Sequence, residues 1–131
     1  MKSILKNLAV IGGLAFGVHM PAFADTKVGL VLPYTGTYAA LGNAITEGFN
    51  MAIDEAGRSD EFTVITEDTE AKPPVGLAKA RKLVLQDKVD VMVGVVSSGV
   101  LGAMRDFVHQ AEVPLIVANA GNNLATGENC S

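Results

Sequence analysis

This 131-residue chain has no tryptophan, two tyrosines, two histidines and a single cysteine. The one thiol, Cys130, stands next to the last residue, so no disulfide within the chain is possible. No set of Cys and His has metal-ligand spacing, and no metal site is expected. Basic residues are also scarce, with ten Lys and Arg against fourteen Asp and Glu, and no basic cluster is longer than Arg81-Lys82. That speaks against a nucleic-acid partner. Catalytic signatures are missing too. Val95 and Val96 precede Ser97 and Ser98 where a nucleophile elbow needs Gly-x-Ser. No lysine follows the last glycine of the Gly94 to Gly102 segment, which excludes a phosphate-binding P-loop. No Gly-x-Gly-x-x-Gly follows a predicted strand, so neither a dinucleotide nor any other cofactor is expected. His109 is the only histidine after residue 24, and it falls late on a predicted surface helix. There it suits the helix C-terminal dipole better than catalysis.

The first 24 residues read as an export signal. Lys2 and Lys6 give a positive start, Leu8 to Val18 an apolar stretch too short to span a bilayer, and Ala22-Phe23-Ala24 a small-x-small cleavage site. The mature chain is expected to begin at Asp25, outside the cytoplasm. Losing the signal takes away two lysines and no acidic residue, which moves the net charge from −4 to −6 over the remaining 107 residues. That length suits one modest domain. No later stretch is long and apolar enough to cross a membrane.

The organising stretch runs from Val89 to Gly102. Its first half is rich in β-branched residues with only Asp90 charged, which predicts a strand over Val89 to Val96 buried on both faces of a parallel sheet. Val100, Leu101, Met104, Phe107, Val108 and Ala111 then recur at helical spacing, with Ser98 as the expected N-cap. Three more strands are predicted at Lys27 to Pro33, Phe62 to Glu67 and Val113 to Ala118. The helices between them carry Leu41, Ile45, Phe49, Ala52 and Ile53, stopping at Gly57, and Leu77, Ala80, Leu83 and Val84, entered through Pro73-Pro74. The alternation βαβαβαβ predicts an α/β fold, a doubly wound parallel sheet with helices on both faces. Strand four is its weak point, because nothing in the sequence covers that edge or one side of that strand.

In such sheets ligands sit beyond the carboxyl ends of the strands. Ser97, Ser98 and Gly99 offer hydroxyls and a helix N-terminus there, an arrangement that favours a carboxylate. Strand four also ends in small polar residues, Asn119-Ala120-Gly121-Asn122. Capping alone explains one serine, whereas two neighbouring strand ends of this kind point to a ligand site. The acidic run Glu67-Asp68-Thr69-Glu70 is expected to be a solvated loop rather than a cation site.

In order and spacing the chain resembles the periplasmic solute-binding proteins of ABC importers, the type I fold related to branched-chain amino-acid receptors. The markers are Lys27 to Pro33 followed by Thr35-Gly36 and Leu41-Gly42, the helix with Gly48 and Ala52, Glu67-Asp68-Thr69, Val93-Gly94 with Ser97-Ser98, and Val113-Pro114 leading to Asn119-Ala120-Gly121. The resemblance implies two α/β lobes closing on a small carboxylate ligand, an amino acid or aromatic acid, passed to a membrane permease. It matches Ser98 to a serine whose hydroxyl and amide bind the carboxylate, and Ala120 to a backbone carbonyl facing the ammonium. Asn122 falls where amino-acid binders often carry a threonine and Leu41 where they often carry an aromatic. The run Asn119-Ala120-Gly121 is more like the branch that binds aromatic carboxylates. The family's proteins are much longer, so residues 25–131 are expected to be one N-terminal lobe, incomplete, with the second lobe absent.

Two other readings compete. A sensor lobe of the same fold would dock to a membrane receptor, and a hydrolase on a doubly wound sheet would need a base near Ser98, which the sequence does not supply.

Overall fold

A computed structural model describes residues 25–123. The expected signal at residues 1–24 and the lone Cys130 lie outside the described residues. The elements are β1 (Thr26–Leu32), α1 (Ala39–Glu55), β2 (Phe62–Asp68), α2 (Pro73–Lys82), β3 (Val91–Gly94), α3 (Ser98–Gln110) and β4 (Leu115–Val117). A 3-10 turn, Ser59–Glu61, leads into β2, and a π-helical turn, Leu83–Asp87, extends α2. All strand pairs are parallel, in the order β2-β1-β3-β4. The predicted alternation and the doubly wound parallel sheet are both present.

β1 is the central strand, and its alternating side chains divide the core. Val28, Leu30 and Leu32 face one side, where Ile45 and Phe49 of α1 and Phe62 and Val64 of β2 pack. Val31 faces the other side, against Ala80 and Leu83, Val100, Leu101, Met104 and Val108. Gly29 keeps that second side thin: a Cβ there would meet the Leu83 side chain at 3.0 Å. α2 and α3 therefore share one face while α1 holds the opposite one. Burying a side chain such as Leu30 or Met104 contributes roughly 1.5–3 kcal/mol, and all these β1 residues except Gly29 are apolar and sealed.

Three expectations need correction. The third strand is shorter than Val89 to Val96, because Gly94 has φ +139° and Val95 φ +65°, and the pleat ends there. Nor is that strand sealed on both faces: Val91 and Val93 are only half-buried. The reason is topological. A right-handed crossover from β1 to β2 places α1 over those two strands, and no described element covers β3 and β4 on that side. Ile116 of β4 is consequently 59% exposed, as the sequence's uncovered fourth strand implied. Finally, the second helix does not run straight through Leu83 and Val84, since the chain widens there into the π-helical turn and closes on Lys88 in a left-handed conformation.

Candidate functional site

The strand order makes β1 and β3 neighbours, with Val31 paired to Gly94, yet the helices that follow them leave to opposite faces of the sheet. That is a topological switch point, where the two connections part and open a crevice at the carboxyl end of the sheet. One wall is the loop of residues 33–38 and the start of α1. The other is the turn of residues 95–97 and the start of α3.

The β3 exit is drawn tight by backbone bonds. The Val95 amide donates to the Val31 carbonyl at 3.0 Å, and the Val95 carbonyl accepts from the Ala120 amide at 3.1 Å. Gly94 has no room for a side chain, since a Cβ would lie 2.6 Å from the Val31 oxygen. Val95 thus ties β1, β3 and the exit of β4 together, and it is a buried β-branched residue at positive φ. Such a conformation costs of order 1–3 kcal/mol and persists where its surroundings over-determine it.

From there the chain enters α3. Ser97, not Ser98, is the N-cap: its Oγ accepts from the Val100 amide at 3.5 Å, while Ser98 is the first helical residue and is exposed. The correction has a simple cause, because Ser97 keeps an extended backbone, φ −88° and ψ 125°, as an N-cap must. With the Val100 amide taken by the cap, the Ser98 and Gly99 amides of the first turn have no intrahelical acceptor. Those two amides, the Ser98 hydroxyl and the positive end of the helix dipole lie beyond the sheet, a setting that favours an anion.

The other candidate residues divide by what they can offer. Ala120 is buried in the α2–α3 core with its amide bonded to Val95, so its methyl group cannot line a crevice. Gly121 is exposed just after it. Asn122 is brought against α3, since a Cβ on Gly102 would meet its Nδ2 at 3.1 Å. Gly102 lies four residues after Ser98, hence on the same helix face, so the Asn122 carboxamide and the Ser98 hydroxyl share one side of α3. Leu41 is exposed on the first turn of α1, across the switch point from the serines.

The acidic run is not a solvated loop. Glu67 is 8% exposed and Thr69 is fully buried. Glu67 points under α2, where its two oxygens meet Lys79 Nζ at 2.7 Å and Lys82 Nζ at 2.6 Å, and Lys82 also reaches Asp87 at 2.9 Å. Burial pushes the Glu67 carboxyl up, but the bonds from the two lysines outweigh it and hold the group below its ordinary range. Asp68 turns the other way, to the crevice wall. Its Oδ1 accepts from the Tyr34 and Glu70 amides, both at 2.8 Å, and its Oδ2 from the Thr35 hydroxyl at 2.7 Å. Desolvation raises that carboxyl, and the hydrogen bonds from Thr35, Tyr34 and Glu70 together bring it below its ordinary value. Sequence reasoning missed this role, although an Asp that bonds the amide two residues on is a turn signature. Among the described residues no group of three or more His, Cys, Asp or Glu is placed to hold a metal, and no helix is long and apolar enough to cross a membrane.

Comparison with known proteins adds the following. A family model described as periplasmic binding protein matches residues 25–131. The Leu/Ile/Val-binding protein BraC3 of Rhizobium johnstonii is 30% identical over 123 residues, covering 88% of this chain and 33% of that protein. Among solved structures, a solute-binding protein of an ABC transporter from R. palustris, in complex with benzoate, superposes with a TM-score of 0.73. It is 40% identical, and the match covers 79% of this chain and 29% of that one. An ABC-type branched-chain amino acid transporter protein from Rhodopseudomonas palustris CGA009 gives a TM-score of 0.75 at 26% identity, over 82% of this chain and 30% of that one. The chain spans about a third of the length of the curated relatives it matches.

Proposed function

Because this chain belongs to the periplasmic binding protein family, of the branched-chain amino-acid type that serves ABC transporters, we propose that its switch-point crevice takes the carboxylate of a small solute and that the chain does no chemistry of its own. In this reading the Ser98 and Gly99 amides and the Ser98 hydroxyl hold the carboxylate, Gly121 and Asn122 border it, and the carbonyl of Ala120 is available to a neighbouring ammonium. The observation that carries the reading is the capped α3 N-terminus at the switch point, with Asn122 folded onto the same helix face. Benzoate in one structural neighbour and the Leu/Ile/Val specificity in the name of a relative support the ligand class, an aromatic acid or amino acid. The partner is a membrane permease of an ABC importer. Residues 1–24 direct export to the periplasm and are removed after Ala24, a reading supported by a family match that begins at residue 25.

The described residues present the carboxylate to open solvent. Hydrogen bonds that compete with water contribute about 0.5–1.5 kcal/mol each, and immobilising a small ligand costs at least several kcal/mol. Binding by these residues alone is therefore weak, in the millimolar range, about −4 kcal/mol. Titration of the isotope-labelled chain with benzoate, 4-hydroxybenzoate, leucine and glutamate, followed by amide NMR, tests this. Saturable shifts at Ser98, Gly99 and residues 120–122 are expected with at least one of them. Shifts confined to another surface, or none with all four, overturn the assignment. Micromolar binding by a monomer refutes the argument from open solvent.

A further inference from the structure

The loop of residues 33–38 forms one wall of the crevice, and its Gly36 and Tyr38 carbonyls accept from amides at the start of α1. Two side-chain links anchor it. Both fall at its start. The Tyr34 hydroxyl bonds Thr46 of α1 at 2.8 Å, and Thr46 in turn donates to the Gly42 carbonyl. Asp68 at the tip of β2 gathers the Tyr34 amide and the Thr35 hydroxyl. Asp68 itself is fixed by the Glu70 amide, and the adjoining Thr69 amide donates to the Leu32 carbonyl at 3.0 Å, so the β2 tip is clamped to the last residue of β1. A rigid point thereby holds the wall where the loop leaves β1, at half-buried Tyr34 and exposed Thr35.

We propose that Asp68 is a positioning residue for the carboxylate site: by holding Tyr34 and Thr35 it sets the loop beside Ser97 and Ser98, and so sets ligand affinity without touching the ligand. The proposal rests on the carboxylate reading of that site. The charged and titratable groups around Asp68 are few. Lys72, on the approach to α2, is engaged by Glu70 at 2.7 Å and feels Asp68 as well, while from the loop side the Tyr34 hydroxyl is held up by burial with a smaller contribution from Asp68. The bonds to the Asp68 carboxylate come from the loop and from the β2 turn. A carboxylate is well suited to this, because one side chain accepts from two amides and a hydroxyl at once.

The test compares the full chain with Asp68→Ala, Thr35→Val and Asp68→Asn, measuring the benzoate dissociation constant by NMR and the melting temperature of each. Asp68→Ala and Thr35→Val are expected to weaken benzoate about tenfold, the scale of one hydrogen bond to a charged group, and Thr35→Val does so at an exposed position with the melting temperature kept. Asp68→Asn keeps an acceptor for the amides and a donor for the Thr35 hydroxyl, so it recovers most of the affinity. Without ligand, the Tyr34 and Glu70 amide signals of the wild type move together as pH falls below the ordinary aspartate value of 3.8, and in Asp68→Asn they do not. Unchanged benzoate affinity in Thr35→Val overturns the inference, even should Asp68→Ala fail to fold. Wild-type chain showing no shifts at Ser98 and Gly99 with benzoate, 4-hydroxybenzoate, leucine or glutamate overturns the carboxylate reading and this inference together. Where one of the other three and not benzoate gives those shifts, the variants are compared with that ligand, and normal wild-type shifts with unaltered variants overturn this inference alone.

Discussion

Two glycines on the same helix make a matched experiment. Gly42 and Gly48 both lie inside α1. In a helix interior, Gly→Ala gains about 1 kcal/mol through reduced backbone freedom in the unfolded chain and better helix propensity. Gly48 is exposed, and a Cβ there meets nothing within 4 Å, so Gly48→Ala should realise that gain of about 1 kcal/mol in full. At Gly42 a Cβ would sit 1.9 Å from the Pro33 carbonyl oxygen. Real Cβ contacts do not fall under 3.0 Å, so helix and loop must part by at least 1.1 Å, the difference of the two distances. The obstacle is backbone at the buried end of β1, with no rotamer to swing aside. Overpacking of this sort costs about 1–3 kcal/mol and here belongs at the top of the range. Less the propensity gain, Gly42→Ala should lose about 2 kcal/mol net. The two variants then differ by about 3 kcal/mol, which for a domain of this size separates their melting temperatures by about 10–20 °C. Thermal unfolding followed by circular dichroism reads this directly. Equal melting temperatures, or Gly42→Ala the more stable, would refute the close approach of α1 to Pro33 on which the crevice wall depends.

Ser97→Ala should destabilise the chain by about 1 kcal/mol through loss of the α3 cap, while Ser98→Ala should leave urea unfolding within about 0.5 kcal/mol of wild type; the reverse order would restore Ser98 as the cap. Val95→Gly should be at least as stable as Val95→Ala, because glycine's ease at positive φ, about 1–2 kcal/mol, outweighs the one further buried carbon it removes, about 0.8 kcal/mol; alanine clearly winning in the same assay would contradict the left-handed turn. Glu67 and Asp68 both have carboxyls lowered in the folded state. Their contribution is therefore fully present above the unfolded-state values of 4.5 and 3.8 and is lost as pH falls through the lower folded ones. Stability measured downward from pH 6 should drop across that window, and Glu67→Gln should flatten the slope while lowering stability at pH 6; a slope unchanged in that variant would refute the lysine pairing.

The sheet was legible because its evidence is periodic. Val28, Leu30 and Leu32, or Leu101, Met104 and Val108, repeat at the spacing of the element that buries them, and Pro73 and Gly57 mark helix ends by backbone chemistry alone. The candidate site was legible as far as its elements were: a serine pair at a strand-to-helix junction and a small polar run after the fourth strand. What stayed hidden depends on long-range geometry. Val95 reads as one more strand valine, and only the bonds to Val31 and Ala120 hold it left-handed. Which serine caps α3 depends on where that distortion ends. Glu67, Asp68 and Thr69 read as a polar loop because their order does not show which distant groups will meet them. Lys79 and Lys82 fold over the first carboxylate only once α2 has turned back on the sheet, and Thr35 reaches the second from the far side of α1 in sequence.

The central place of β1 also has a consequence in time. The first strand of the sheet pairs with β2, where Val28 meets Val64, and with β3, where Val28 meets Val91. The Lys27–Asp90 bond at its start joins residues 63 apart in sequence. Neither partner is local: β2 follows only after α1, and the β3 edge of β1 stays open until the chain has passed α2 and reached Val91, and closing such loops must precede the contacts that reward it. Until then Val28 to Leu32, the most deeply buried run in the finished sheet, is an apolar segment with one edge unpaired. Slow assembly of this kind makes that same segment the place where a holding chaperone has most to cover.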